Sequence, residues 1–360
     1  MNRRLVLGTA AMAAPAALAT PALAQANPEI RWRCQSSFPR NLDVLFGTPE
    51  RIANRVAALT ENRFRIQVFP AGEIVPGLQV LDAVQAGTID CGHTASYWYI
   101  GKEPGFAFFT AIPFGLNTRQ MTAWMRHGGG QQFADQLFAE YNIVGLPAGD
   151  TGAQMGGWFR QEIRTQQDVQ GLKFRISGLA GQVFQRMGAN PTLVAPADIY
   201  PALERGTIDA TEFVGPHDDE RLGFFRVARF YYAPGFFEPS ARLTFMSNKR
   251  QYDALPQLYK DALAIACAEA DSEMVSRYDH LNPIALRRLV AQGTQLRFYS
   301  REILQLAWRS NEALMADLAG QNARFRTIWE NYRPYRSELF QWFRVAENSY
   351  DNFAFAASAG

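Results

Sequence analysis

The residues able to do chemistry sit at the ends of alternating apolar segments. Arg175 lies within Lys173-Phe174-Arg175-Ile176-Ser177-Gly178, on what reads as a buried strand. A guanidinium left unpaired there is costly, so it needs an anion. A ligand carboxylate fits its planar fork through two hydrogen bonds, and a structural salt bridge meets the same need. Two acids stand in similar places, Glu212 in Thr211-Glu212-Phe213 and Glu238 in Gly235-Phe236-Phe237-Glu238-Pro239. In one pocket they repel each other and any anionic ligand unless a cation lies between them. Oxygens from both, with the Gln154 amide and backbone carbonyls, suit Na+ or Ca2+ better than zinc. On separate surfaces the same acids carry no such meaning. Tyr97, Trp98 and Tyr99, in the run Thr94 to Tyr99, supply aromatic walls.

Several other chemistries lack their parts. The four histidines, His93, His127, His217 and His280, form no HxH or HExxH pair, so no zinc hydrolase ligand set is present. His217-Asp218-Asp219-Glu220 follows Pro216 and reads as the acidic first turn of a helix, where carboxylates favour the helix dipole. His127-Gly128-Gly129-Gly130 is similar to the oxyanion-hole segment of lipases, but the chain has no G-x-S-x-G nucleophile elbow. It reads as a loop between helices. G-x-G-x-x-G and Walker A sequences are also absent. Cys34, Cys91 and Cys267 fall in no CxxC or Cys/His cluster and read as small buried apolar residues, although a disulfide is chemically open to them.

The elements that must position these residues alternate. Ile30 to Gln35 and Phe64 to Phe69 read as strands, Pro49 to Thr60 and Leu78 to Ala86 as helices, and Ile89-Asp90-Cys91 begins a third strand. This order predicts βαβ units and a largely parallel sheet, with ligand sites at strand ends. Val80 to Asp90 also repeats as Ile199 to Asp209, sharing Ala-apolar-x-x-Gly-Thr-Ile-Asp. Each copy is a helix stopped by glycine with a strand after it, and each follows a strand, Phe64-Arg65-Ile66 or Lys173-Phe174-Arg175-Ile176. Two similar α/β lobes are therefore expected. From Gln251 onward the pattern is helical, and Pro334 to Phe353 carries too many aromatics for a solvated tail. It docks on its own lobe or on a second subunit.

Arg3 and Arg4 precede an Ala-rich apolar run that ends in Ala22-Leu23-Ala24, the form of an export signal over residues 1–24. The paired arginines leave the twin-arginine and Sec routes both open. Without that segment, 34 basic residues balance the 34 acidic ones, which gives no electrostatic footprint for nucleic acid.

The segments Gly171-Leu172-Lys173-Phe174-Arg175-Ile176, Gly188-Ala189-Asn190-Pro191, Ala197-Asp198-Ile199-Tyr200-Pro201 and Gly206-Thr207-Ile208-Asp209-Ala210-Thr211-Glu212 resemble the signature of solute receptors of tripartite ATP-independent periplasmic (TRAP) transporters, the DctP type. Phe69-Pro70-Ala71-Gly72-Glu73 and Ala86-Gly87-Thr88-Ile89-Asp90 fit the same family. The resemblance implies a periplasmic α/β protein that is not an enzyme, with two lobes closing on a carboxylate and a long C-terminal helix. It places lobe I at residues 27–152 plus about 239–280, lobe II at 153–238 plus about 281–325, and a C-terminal helical segment at 326–360. Gln154, the Glu212-Phe213 pair and Phe237-Glu238-Pro239 are most similar to receptors for 2-oxo monocarboxylates such as pyruvate, which bind the acid with a metal ion. That subgroup implies a site of Gln154, Arg175, Glu212, Phe213 and Glu238, with Tyr97, Trp98 and Tyr99 lining it. Gln154, Glu212, Phe213 and Glu238 would hold Na+ or Ca2+, and no organic cofactor is implied. A larger ring is common at the Phe213 position. The implied partners are a small organic-acid anion, the membrane subunits of the transporter, and a second copy joined through exchanged C-terminal helices. Two rival readings are a dicarboxylate or sugar-acid receptor of the same family and a secreted metal-assisted lyase or hydrolase using Glu212 or Glu238 as base.

Overall fold

A computed structural model describes residues 28–358, so the export-signal reading of residues 1–24 lies outside the described residues. Eleven strands form two sheets: β1 Ile30–Ser36, β2 Phe64–Phe69, β3 Cys91–Thr94, β4 Ile143–Asp150, β5 Gly157–Phe159, β6 Lys173–Arg175, β7 Asn190–Thr192, β8 Ala210–Thr211, β9 Phe230–Ala233, β10 Arg242–Asn248 and β11 Gln295–Phe298. Sheet one runs β2-β1-β3-β10-β4 and sheet two runs β11-β9-β5-β8-β6-β7.

Each sheet contains the same β-α-β-α-β unit. In the first, β1, the helix Gly47–Leu59, β2, the helix Val80–Ala86 and β3 follow one another, and β1 pairs in parallel with β2 and with β3. In the second, β6, the helix Gly178–Arg186, β7, the helix Ile199–Glu204 and β8 repeat the pattern, with β6 parallel to β7 and to β8. The repeated glycines, Gly87 (φ 75°) and Gly206 (φ 72°), both turn the chain out of a helix in the left-handed region that a side chain disfavours. The duplication predicted from sequence is therefore present, with one correction. The counterpart of β6 is β1, not the Phe64–Phe69 strand, because β1 and β6 are the central strands of their units while β2 and β7 pair on the far side.

The sheets are mixed rather than simply parallel. The chain leaves β4, crosses through residues 151–156 and enters sheet two as β5, which runs antiparallel to both β8 and β9. It returns from β9 through residues 234–241 and enters sheet one as β10, antiparallel to both β3 and β4. Each sheet is thus opposed by the one strand that arrives from the other.

A third link is the 35-residue helix Gln257–Ala291. Its first part packs Leu263, Ala266, Cys267 and Ala270 into the core of sheet one with Trp32, Cys34, Cys91 and Phe245. Further along, the Tyr278 hydroxyl donates to Asp218 on the sheet-two side at 2.5 Å. All three cysteines are free and buried in that first core. The His127-to-Gly130 stretch is the expected loop, with Gly129 (φ 93°) separating the helices Thr118–His127 and Gly130–Glu140.

The chain ends in the helix Ala323–Phe343, a π-helical turn over Arg344–Asn348 and the helix Ser349–Ser358. Phe325, Ile328, Trp329 and Tyr332 are buried against sheet one's lobe, with the Phe108 ring 4.8 Å from Phe325 and 5.4 Å from Tyr332. Beyond them Trp342 (59% exposed), Phe353 (74%) and Phe355 (69%) face outward. Among the described residues no helix is long and apolar enough to cross a membrane.

Candidate functional site

The parallel strands β1, β3, β6 and β8 end toward the space between the sheets, and the predicted chemistry lies just past those ends, as strand-end ligand sites require. A narrow cavity there has a volume of about 20 Å3. Its polar end is formed by Thr151, Gln154, Arg175 and Glu212, and its apolar walls by Phe38, Leu45, Ala95, Tyr97, Trp98, Phe213, Val214, Ala241 and Leu243. A wider depression of about 290 Å3 opens elsewhere, among Met125, Leu146, Pro147, Arg242 and Asp271, and contains none of these strand-end groups.

Arg175 is buried at the end of β6. Its Nε donates to the Val194 carbonyl at 3.1 Å, and its Nη1 donates to the Glu212 carbonyl at 2.8 Å and to Glu212 Oε1 at 2.6 Å. The Ser177 amide donates to the same carboxylate oxygen at 2.9 Å. Among the described residues Nη2 has no hydrogen-bond partner. The guanidinium thus has a structural anion on one side and a free donor on the other, so the two sequence readings of Arg175 are compatible. The Phe213 ring lies beneath it, with its centroid 5.8 Å from the guanidinium carbon.

Gln154 and Glu238, distant in sequence, are brought together by the two crossover segments lying backbone to backbone. The Gln154 amide donates to the Glu238 carbonyl at 3.1 Å, and the Gly235 amide donates to the Gln154 carbonyl at 3.2 Å. A Cβ at Gly235 would lie 2.3 Å from that carbonyl oxygen, so this approach requires glycine. Gln154 Nε2 donates to Thr151 Oγ1 at 3.2 Å, while its Oε1 has no partner.

Glu238 is the least satisfied group of the site. It is buried, and neither carboxylate oxygen has a hydrogen-bond partner among the described residues. Burial, with the nearby charge of Glu212, pushes its carboxyl well above the usual range, against the pull of Arg175. Burial also raises Glu212, opposed by Arg175 and the Ser177 contacts. With its carboxyl raised in this way, Glu238 keeps its proton in the absence of a cation, and a bound cation would displace that proton and take up the charge of both carboxylates. Among the described residues no cluster of three or more His, Cys, Asp or Glu side chains forms a metal site. A cation here would therefore draw on two carboxylates completed by amide, carbonyl or ligand oxygens, a hard-cation donor set.

Tyr97 and Trp98 line the cavity, with their rings stacked at a centroid distance of 6.0 Å. Trp98 Nε1 donates across the cleft to Ser177 Oγ at 3.3 Å. Tyr99 corrects the expectation. Its hydroxyl accepts from the Leu81 amide at 3.3 Å and shares a 3.0 Å hydrogen bond with Thr94 Oγ1, so it braces the core behind β3 and does not line the cavity. The 3-10 turn Ser96–Tyr99 alone sends the third aromatic inward. Thr151, Ser177 and the wall of Phe38, Leu45, Ala241 and Leu243 were not singled out in the sequence. Apolar loop residues carry no signal of their own, although the position of Phe38 just past β1 mirrors that of Ser177 just past β6.

These features are those of a two-lobed solute receptor. The family model described as bacterial extracellular solute-binding protein, family 7 (DctP) matches residues 36–321, and the chain belongs to that family. It is 47% identical over 98% of its length to the monocarboxylate 2-oxoacid-binding periplasmic protein of Nostoc, covering 99% of that protein. A TRAP transporter solute-binding protein from Bordetella bronchiseptica, a dimer with copurified calcium and picolinate in one site, superposes with a TM-score of 0.91 at 44% identity, covering 92% of this chain and 99% of that one. A TRAP periplasmic solute-binding protein from Pseudoalteromonas atlantica with bound sodium and pyruvate gives 0.87 at 35% identity, covering 89% and 98%.

Proposed function

We propose that this protein is the periplasmic receptor of a TRAP transporter, taking up a 2-oxo or 2-hydroxy monocarboxylate of the pyruvate type together with Na+ or Ca2+ and delivering it to the membrane subunits. The observation that carries this reading is Glu238, a buried carboxylate without a hydrogen-bond partner that lies behind the cavity lining and feels the charges of the Arg175–Glu212 pair at the cavity's polar end. In this reading Arg175 Nη2 holds the ligand carboxylate. Glu212, Glu238, the Gln154 amide oxygen and the Phe213 carbonyl hold the cation, and Tyr97, Trp98 and the Phe213 ring shape the space. Arg175 is the only basic residue lining the cavity among the described residues, and the opposite wall is apolar. One anionic group and a small apolar remainder are thereby favoured over a dicarboxylate or a polyhydroxylated sugar acid.

The division into lobes is supported by the sheets. Lobe I, residues 27–152 plus about 239–280, holds every strand of sheet one, and lobe II, 153–238 plus about 281–325, holds every strand of sheet two. We further assign the exposed apolar residues of the C-terminal segment to a homodimer contact, and residues 1–24 to export.

Isothermal calorimetry with pyruvate and lactate, with and without Na+ or Ca2+, tests the reading. The expected result is binding that needs both acid and cation, with the ligand recovered unchanged after prolonged incubation. Absence of binding to every short carboxylate under all of these conditions would overturn it, and chemical conversion of the ligand would favour a metal-assisted lyase or hydrolase.

A further inference from the structure

Away from the cavity, one carboxylate collects three basic side chains. Asp43 lies between β1 and the helix Gly47–Leu59, on the sheet-one side. His217 and Arg221 belong to the helix Pro216–Leu222 on the sheet-two side, and Arg277 to the helix that runs along both. His217 Nε2 lies 2.8 Å from Asp43 Oδ1, Arg221 Nε 3.1 Å from the same oxygen, and Arg277 Nη2 3.0 Å from Oδ2. Arg277 Nη1 also donates to the Asp43 carbonyl at 3.2 Å, so it fixes the loop as well as the side chain. Burial alone would raise the Asp43 carboxyl, but the His217 hydrogen bond and the surrounding positive charge hold it below its ordinary value.

Asp43, His217 and Arg221 are absent from the cavity lining. We infer that Asp43 is an interlobe latch: presented by Arg277, it captures His217 and Arg221 when the lobes close and so sets how long the receptor stays shut. The geometry divides the roles. Arg277 contacts Asp43 through both backbone and side chain, which orients the carboxylate before closure, whereas His217 and Arg221 reach it from the helix Pro216–Leu222 on the sheet-two side. The His217 and Arg221 contacts join the sheet-two side to Asp43 and the Arg277 pair does not, so opening acts on the first two, about the anchors that tie the helix Pro216–Leu222 to Tyr278 and Asn282. The latch thus acts on closure through contacts that exist in the closed arrangement, the requirement for shifting a two-state equilibrium. It rests on the reading of the protein as a closing receptor, although not on which acid it binds.

The test places spin labels on exposed positions of each lobe of the full-length protein. Interlobe distances are read by double electron-electron resonance, without ligand and with pyruvate plus Ca2+. In whichever condition closes the wild type, Asp43→Ala and Arg221→Ala should each raise the open-to-closed ratio about 5- to 20-fold, the scale of losing partly exposed charge-assisted contacts. Asp43→Ala/Arg221→Ala should be no more open than Asp43→Ala alone, because the Asp43 contact that Arg221→Ala removes is already lost in Asp43→Ala. Circular dichroism and melting of each variant separate latch loss from misfolding. If the variants are folded and as closed as the wild type, if the two effects add, or if the wild type is open in both conditions, the latch is overturned. Calorimetry on the wild type keeps the two readings distinct, since closure without pyruvate binding would refute the ligand and leave the latch standing.

Discussion

At the scale of single residues, Glu238 and Arg175 make opposite predictions. Removing the Arg175 guanidinium strands Glu212 as a buried charge, a change that commonly costs about 3–5 kcal/mol in stability. Glu238 has no partner to strand. Glu238→Gln should therefore raise the melting temperature of the cation-free protein while weakening Ca2+ or Na+ binding at least about tenfold, because it removes a buried unpaired carboxylate that a cation would use. Thermal melts with chelator, paired with calorimetry, check both halves, and a destabilised variant with unchanged cation affinity would contradict the role. How much of this was legible is clear from the pair itself. Arg175 announced its need for an anion by sitting in an alternating apolar strand, and the acids were visible as types. What one sequence does not reveal is that Gln154 and Glu238 touch, since this depends on two crossover segments pairing through their backbones. Nor does it show that Tyr99, one residue beyond Trp98, points the other way.

At the scale of elements, the short helix Pro216–Leu222 shows where reading by residue type stops. Asp218 and Asp219 do occupy its first turn, as the run after Pro216 predicts, yet both are buried. Asp218 accepts from Tyr278, and Asp219 accepts from Trp158 Nε1 at 2.9 Å and from Tyr231 at 2.6 Å. Those aromatic partners lie on other elements, so nothing local marks the acids as interior. Burial lifts both carboxyls from 3.8 to about 7. Between those values the folded protein holds more protons than the unfolded chain, so the contribution of these groups to stability falls as pH rises through that window. Asp218→Asn keeps the acceptor for Tyr278 and removes the titration. Its melting temperature relative to wild type should rise between pH 5 and pH 8, and a constant difference would argue against a raised Asp218. The duplicated β-α-β-α-β units were legible because a helix, a glycine and a strand leave a local imprint twice. Their alignment is not legible in the same way, because β1 and β2 both alternate, and only sheet order tells a central strand from an edge.

At the scale of the whole molecule, the C-terminal segment divides at about Phe343. Before that point it is part of the fold, with Arg336 placed over the rings of Trp308, Trp329 and Phe340. Beyond it, Arg119 holds Glu347 at 2.8 Å, while Tyr350, Phe353 and Phe355 remain exposed. The proposed dimer contact predicts that the full chain runs as a dimer by light scattering and that a chain ending at Phe343 stays folded and runs as a monomer; equal masses would remove the tail from the interface. The tail's aromatic content was readable in the sequence, whereas the point at which docking gives way to exposure was not, because both halves have the same composition. The exchange of β5 and β10 has a different kind of consequence, one that concerns the order of synthesis. A nascent chain that has emerged as far as Asp150 already owns four of the five strands of sheet one, but β3 and β4 have no partner between them until residues 242–248 are made. Neither half of this receptor can be completed by the ribosome before the other has been started.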